Sequence, residues 1–207
     1  MMRLRLLCLT SLFCGSVIAQ PRQVGVDQPA THPVAFGVVE SGTDVPRVLY
    51  GTDYRAIGTD AEDMARNYLR DRASSLKIEG VKLETTSVLA TPGGSRVRFR
   101  QVMDGLPVFG SDVVISLGRD GRVVFVVNNA HPGLSLPAAG KAGGMAASQA
   151  SVYARDYLGV RGVPRTQAVE TGIFVQGRRG VVAHRVDVVA PGELAGDWRV
   201  VVNAADG

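Results

Sequence analysis

Apolar residues between positions 60 and 76 recur at helical spacing. Ala61, Met64, Ala65, Tyr68, Leu69 and Leu76 fall on one face with charged residues between them, which predicts an amphipathic helix over about 60–76. Thr59-Asp60-Ala61-Glu62 reads as a capping box, with Thr59 satisfying free amides and Glu62 reaching back. Asp60, Glu62 and Asp63 add negative charge where the helix dipole favours it. The period then changes to two. Residues 82–90 are β-prone and end at the turn Thr91-Pro92-Gly93-Gly94. Over 96–103, Val97, Phe99, Gln101 and Met103 face one way while Arg96, Arg98 and Arg100 face the other. Asp104-Gly105 turns the chain into a strand over 108–117, and Arg119-Asp120-Gly121 turns it again into a strand over 123–127.

The same order returns after a Pro- and small-residue-rich stretch. Residues 147–158 predict a second helix, with Ala147, Ala150, Ala154, Tyr157 and Leu158 on one face and Gly159 as its stop. Strands are expected over 166–176, 181–190 and 197–203. His184, Val186 and Val188 share one face, as do Trp198, Val200 and Val202. The halves are not sequence repeats. Their shared order predicts an α+β fold of two small subdomains, each a helix packed on an antiparallel β-sheet.

The first residues change how the rest is counted. A basic start at Arg3 and Arg5 precedes an uncharged run, Leu6 to Ala19, that stops at Gln20-Pro21-Arg22. This predicts a secretory signal peptide cleaved after Ala19. The run is shorter than the about 20 apolar residues a membrane span needs, so no stable membrane anchor is expected. Phe13 before Cys14 argues against lipidation. The processed chain is then secreted or periplasmic. It loses both cysteines, Cys8 and Cys14, although export leads to a place that permits disulfides. Its 188 residues suffice to bury about 70% of the extended surface without staples. At 45% hydrophobic and 20% charged, the composition is globular rather than disordered. The formal charge of +4 falls to +2 once Arg3 and Arg5 are removed, and the arginines are scattered, so no nucleic-acid partner is expected.

Chemistry is sparse. HExxH, CxxC, GxGxxG and GxSxG are absent. His32 and His131 each precede a proline, and mid-strand His184 reads as a hydrogen-bonded structural residue. Ser111-Asp112 has no nearby histidine. Gly140-Lys141 lacks the Ser or Thr and the first glycine of a phosphate loop. A helix start accounts for the acids at 60–63 without calcium. No catalytic, cofactor-binding or metal-ligating residue is therefore assigned within this segment.

One stretch is far more specific. Arg98-Phe99-Arg100-Gln101-Val102-Met103-Asp104-Gly105-Leu106-Pro107-Val108-Phe109-Gly110-Ser111-Asp112 closely resembles the RFxQxxxGLPVFGxD signature of the fungalysin/thermolysin propeptide domain. The return through Asp120-Gly121-Arg122-Val123 and the preceding helix extend the resemblance over 45–130. Within the motif Arg98, Phe99, Gln101, Gly105, Leu106, Pro107, Val108 and Phe109 are singled out as structural or partner-contacting. Phe99, Val108 and Phe109 are read first as core, and Gly105 and Pro107 as turn-makers.

The second half resembles a PepSY domain, through His184, Val186, Trp198, Val200 and Ala204. His184 replaces the usual aromatic residue, Asn203 the usual Asp and Asp206 the usual Thr. Trp198 is read first as core.

The expected division is a signal peptide over 1–19, an irregular lead-in over 20–44, a propeptide-like domain over 45–130, a linker over 131–144 and a PepSY-like domain over 145–207. Asp206-Gly207 is a hairpin-turn pair with no following strand, so the last domain is expected to be cut short. The resemblance implies the propeptide of a secreted thermolysin-like zinc metallopeptidase. It would act in cis as intramolecular chaperone and inhibitor, with zinc held by the downstream catalytic domain. The alternative is a free-standing periplasmic or extracellular peptidase inhibitor.

Overall fold

A computed structural model describes residues 36–41, 44–137, 144–159, 165–190 and 196–207. The predicted signal peptide and its cleavage position at Ala19 lie outside the described residues. The elements in chain order are β1 (Phe36–Val39), β2 (Pro46–Arg55), α1 (Ala61–Asp71), β3 (Leu83–Thr91), β4 (Gly94–Met103), β5 (Leu106–Gly118), β6 (Arg122–Asn128), α2 (Ala147–Leu158), β7 (Arg165–Gln176), β8 (Arg179–Ala190) and β9 (Gly196–Asn203).

The fold is α+β and mostly strand. The nine strands of the described residues join in one sheet with the path β1-β2-β6-β5-β7-β8-β9, while β4 pairs with β5 and β3 with β4 off that path. Among the described residues the strand pairings are antiparallel except the short parallel contact of β5 with β7 at Val108 and Ile173, and an isolated parallel bridge joins Ser135 to Arg179. The sheet thus runs through both halves instead of stopping between them.

The expected lead-in contains β1, and β2 follows at once. These strands lack a clean alternation, because β2 is bulged between Tyr50 and Tyr54 where it meets β6.

Helix α1 starts one residue later than the capping box predicts. Asp60 is the N-cap, accepting from the Asp63 amide at 2.8 Å, and the Asp63 carboxylate accepts from the Thr59 amide at 3.1 Å. Asp60 and Asp63 thus take the places expected for Thr59 and Glu62, but the back-bond reaches the Thr59 amide, one residue before the N-cap, so the box is not strictly reciprocal. Glu62 instead accepts from Arg66 and Thr85. The helix ends at Asp71 rather than near 76. The following turns still deliver Leu76, fully buried, to the face carrying Ala65, Tyr68 and Leu69.

That face packs on Val97, Phe99, Val113, Ile115, Val123 and Val126 to form the main core. Tyr54 and Tyr68 meet edge to face at 5.0 Å. Burial raises both phenols to about 12, and for Tyr54 a hydrogen bond to Asp71 adds to the rise.

A smaller core places Ala150 and Ala154 of α2 on Val186, Val188 and Val202. Two expected core residues are outside it. Tyr157 is 83% exposed and Trp198 is 44% exposed. The small alanines bring α2 close to the sheet, and Tyr157 lies at the margin of that narrow contact. Trp198 stands on β9, the last strand of the sheet path, whose Val200 and Val202 pack in the core beneath α2.

Candidate functional site

The motif forms a two-stranded ribbon, β4 and β5, joined by a two-residue turn. Asp104 (φ 51°) and Gly105 (φ 80°) both take the left-handed conformation of a tight hairpin turn. Leu106 pairs with Met103, and Pro107 with Val102. The register then breaks. Arg100 pairs with Asp112, so Gln101 faces an extra stretch of β5.

Ser111 holds this bulge. Its buried hydroxyl donates to the Val108 carbonyl at 2.7 Å and accepts from the Gln101 amide at 3.1 Å. The hydroxyl is committed to the backbone rather than poised as a nucleophile.

Gln101 is 5% exposed and reaches across the bulge. Its side-chain amide donates to the His131 carbonyl at 3.2 Å, and its oxygen accepts from the His131 amide at 2.8 Å. Arg47 grips the same stretch by donating to the carbonyls of Asn128 at 3.1 Å and Ala130 at 2.7 Å while pairing with Glu40. Buried Asn128 donates to the Leu76 carbonyl and accepts from the Ala130 amide. The beginning of the expected linker is therefore a packed strap. Leu134 joins Val108 and Ile173 in a third core cluster, with Leu106 packed against it. Ser135 bonds to the β7–β8 hairpin through Arg178 and Gly180.

On one edge β5 pairs first with β7, at Val108, and from Val113 onward with β6. Gly110 lies between, at φ 75°, a backbone conformation that lets the strand bend as it changes neighbours. The sheet forks there. The fork opens a groove of about 1020 Å³. Phe109, Gly110 and Asp112 line it from β5, the strap from His131 to Leu134 forms one side, and Phe174, Arg185, Arg199 and Val201 form the other.

Charge is arranged around this groove. Glu170 of β7 accepts from Arg100 of β4 at 2.9 Å and from Arg185 of β8, which ties the two halves together. Arg185 also lies 5.0 Å from the centroid of the Phe109 ring, a cation–π contact. Arg199 pairs with Asp187 at 2.8 Å; that bond lowers the Asp187 pKa and raises that of Arg199. Burial lowers the His131 pKa and neighbouring Arg47 adds to the shift, with Glu40 opposing it, which favours the neutral imidazole. Asp112 differs from these groups. One of its carboxylate oxygens, Oδ1, is buried without a hydrogen-bond partner.

The remaining motif residues separate cleanly. Phe99 and Val108 are fully buried, and Arg66 lies over the Phe99 ring at 5.3 Å. Phe109 is half-buried against Gly172, where an added Cβ would come within 2.5 Å of its ring. Arg98 is exposed on the helix-free face.

In the second half, buried His184 uses both ring nitrogens: Nδ1 meets the Thr171 hydroxyl at 3.0 Å and Nε2 the Met145 carbonyl at 2.9 Å. It pins the approach to α2 onto the sheet. Val186 is buried and Val200 packs beside it. Ala204 is buried between β8 and the start of α2, donating to Val182 and accepting from Met145. Trp198 stands apart from this cluster.

Sequence reasoning singled out Gln101 without its partner and passed over Arg100, Asp112, Glu170 and Arg185. Asp112 closes the recognised motif, so a signal was present. Glu170 carries none, because its partner Arg100 is 70 residues away.

Fold and site together define an α+β arrangement organised around the β4–β5 ribbon. Residues 80–130 match the family model described as the Fungalysin/Thermolysin Propeptide Motif. No curated protein matches the chain. The Bacillus megaterium YpeB C-terminal domain is similar to it at 10% sequence identity and a TM-score of 0.37, over 83% of this chain and 77% of that one. Among the described residues no helix is long and apolar enough to cross a membrane.

Proposed function

We propose that the chain is the propeptide region of a secreted thermolysin-like zinc metallopeptidase. It binds the catalytic domain in cis, assists its folding and inhibits it until cleavage. The observation that carries this reading is the 98–112 motif inside the matched 80–130 segment. The predicted signal peptide supports export, and the resemblance of residues 145–207 to a PepSY domain supports a two-part propeptide. Zinc belongs to the catalytic partner in this reading.

Tethering makes modest affinity sufficient. A domain joined by a short linker sees its partner at an effective concentration of about 1 mM. A Kd of about 1 μM then keeps the partner almost fully occupied, and cleavage followed by dilution releases it.

The test adds the purified chain to a thermolysin-like peptidase in trans and follows both hydrolysis and refolding of the denatured peptidase. Inhibition at micromolar concentration and a raised refolding yield are expected. Neither effect at 100 μM, together with no HExxH motif encoded after Gly207, would sink the reading. Inhibition without an encoded catalytic domain would favour a free-standing inhibitor.

A further inference from the structure

We infer that the helix-free face of the sheet over β2, β6, β5 and β4 is a docking surface for a folded protein, one whose apolar patch carries carboxylates to meet Arg96 and Arg98. The inference rests on the propeptide reading for the partner's identity, the cognate catalytic domain.

Strand register assembles this face. Val38, Val48, Val127 and Val114 stand side by side on β1, β2, β6 and β5, and their row ends at Arg98 of β4. The next row runs from Tyr50 through Phe125 and Ser116 to Arg96. The residues of opposite parity, Leu49, Val126, Ile115 and Val97, are buried in the main core with α1.

An antiparallel sheet with one solvated face ordinarily alternates apolar inward and polar outward. Here the outward rows are apolar as well. Val38, Tyr50 and Phe125 are 49%, 47% and 38% exposed, and Val48, Val114 and Val127 are half-buried. The helix α1 packs on the other face and α2 on the second half, so neither covers these rows. Contiguous exposed apolar surface of this kind marks an interaction site. Six strands spaced at about 4.8 Å and the length of β6 at about 3.3 Å per residue give a face of roughly 650 Å². That approaches the about 800 Å² that each partner contributes to a stable interface.

Charge selects the occupant. Arg96 and Arg98 are exposed and form no ion pair, and neither row holds an acid. A guanidinium covered by a partner needs a carboxylate there. A second copy stacked on the same face would bring valines and arginines but no acid, leaving both guanidiniums unpaired. A bilayer is entered by side chains on an amphipathic helix. These valines instead lie flat in a pleated sheet, which suits a second protein layer at about 10 Å.

The test records methyl NMR spectra of the chain, ¹³C-labelled at valine, while an inactive variant of a thermolysin-like peptidase is added. The methyls of Val48, Val114 and Val127 are expected to shift, and those of Val97, Val113 and Val126 in the core to stay. The opposite pattern would overturn the inference. Shifts of the outward methyls on adding anionic phospholipid vesicles, or on concentrating the chain alone, with none on adding peptidase, would overturn the catalytic domain as occupant.

A second arm compares inhibition of the active peptidase by the unaltered chain, by Phe125→Thr and by the double variant Arg96→Glu with Arg98→Glu. These side chains are exposed, so melting temperatures should stay within about 4 °C. Inhibition is expected to weaken about tenfold or more in each variant. Undiminished inhibition by both would overturn the inference and leave the propeptide reading standing. No inhibition by the unaltered chain would overturn the two together. If Phe125→Thr fails to fold, the charge variant and the methyl map still decide.

Discussion

Replacing Gln101 tests whether the strap is held as described. Gln101→Leu keeps a similar volume but removes both hydrogen bonds to His131, at 2.8 and 3.2 Å. Each bond contributes about 1 kcal/mol net, and leaving the backbone groups of His131 without partners adds to the loss. Because His131 is half-buried, water recovers part of that loss, and the expected destabilisation is about 2–3 kcal/mol. For a chain of this size that corresponds to a Tm lower by about 4–12 °C. Gln101→Glu should cost at least as much, since a carboxylate can accept from the His131 amide but faces its carbonyl with no proton to donate. Urea denaturation reads the change as a lower midpoint at constant slope. Amide exchange at His131 gives the local readout and should accelerate in both variants. A shift below about 0.5 kcal/mol in both, with unchanged exchange at His131, would refute the clamp.

Three further outcomes follow from the packing and the charges. Phe99→Ala should lose about 3–5 kcal/mol, because its ring is fully buried in the main core; an unaltered melting curve would contradict that placement. Gly172→Ala should lose about 1–3 kcal/mol by overpacking, and adding Phe109→Ala should restore only part of it, because the Pro107 carbonyl oxygen still lies 2.6 Å from the new Cβ; complete rescue would refute the backbone contact. The folded-state pKa of His131 is lowered, so stability at neutral pH should diminish as pH falls below about 6.5, where the unfolded chain binds the proton first, and level off below the folded value. His131→Gln should remove that part of the acid dependence, as thermal melts across the range would read.

Much of the fold was legible because it is written in local periodicity. The α2 boundaries and the β4–β5–β6 meander match the pattern closely, since each strand alternates against a single covered face. The N-cap of α1 was misplaced by one residue because Thr59 and Asp60 are both good caps, and backbone geometry chose between them. Trp198 and Tyr157 sit at regular apolar positions yet are exposed, since a period identifies a face but not how far the opposing layer reaches over it. His184 was readable as a bonded strand residue, while Thr171 and the Met145 carbonyl, its partners, were not.

From residues alone come the α+β class, the order of the elements and the propeptide signature, because propensity, alternation and turn chemistry act over a few neighbours. The fork in the sheet was decided only in three dimensions. It depends on β5 exchanging β7 for β6 at Gly110, and on Gln101 reaching a carbonyl 30 residues away. The same holds for charge. The sequence shows many arginines but not that Arg47, Arg185 and Arg199 are already paired around the groove while Asp112 has a buried oxygen without a donor. Those pairings join side chains from separate strands, and only the folded sheet brings them within hydrogen-bonding distance.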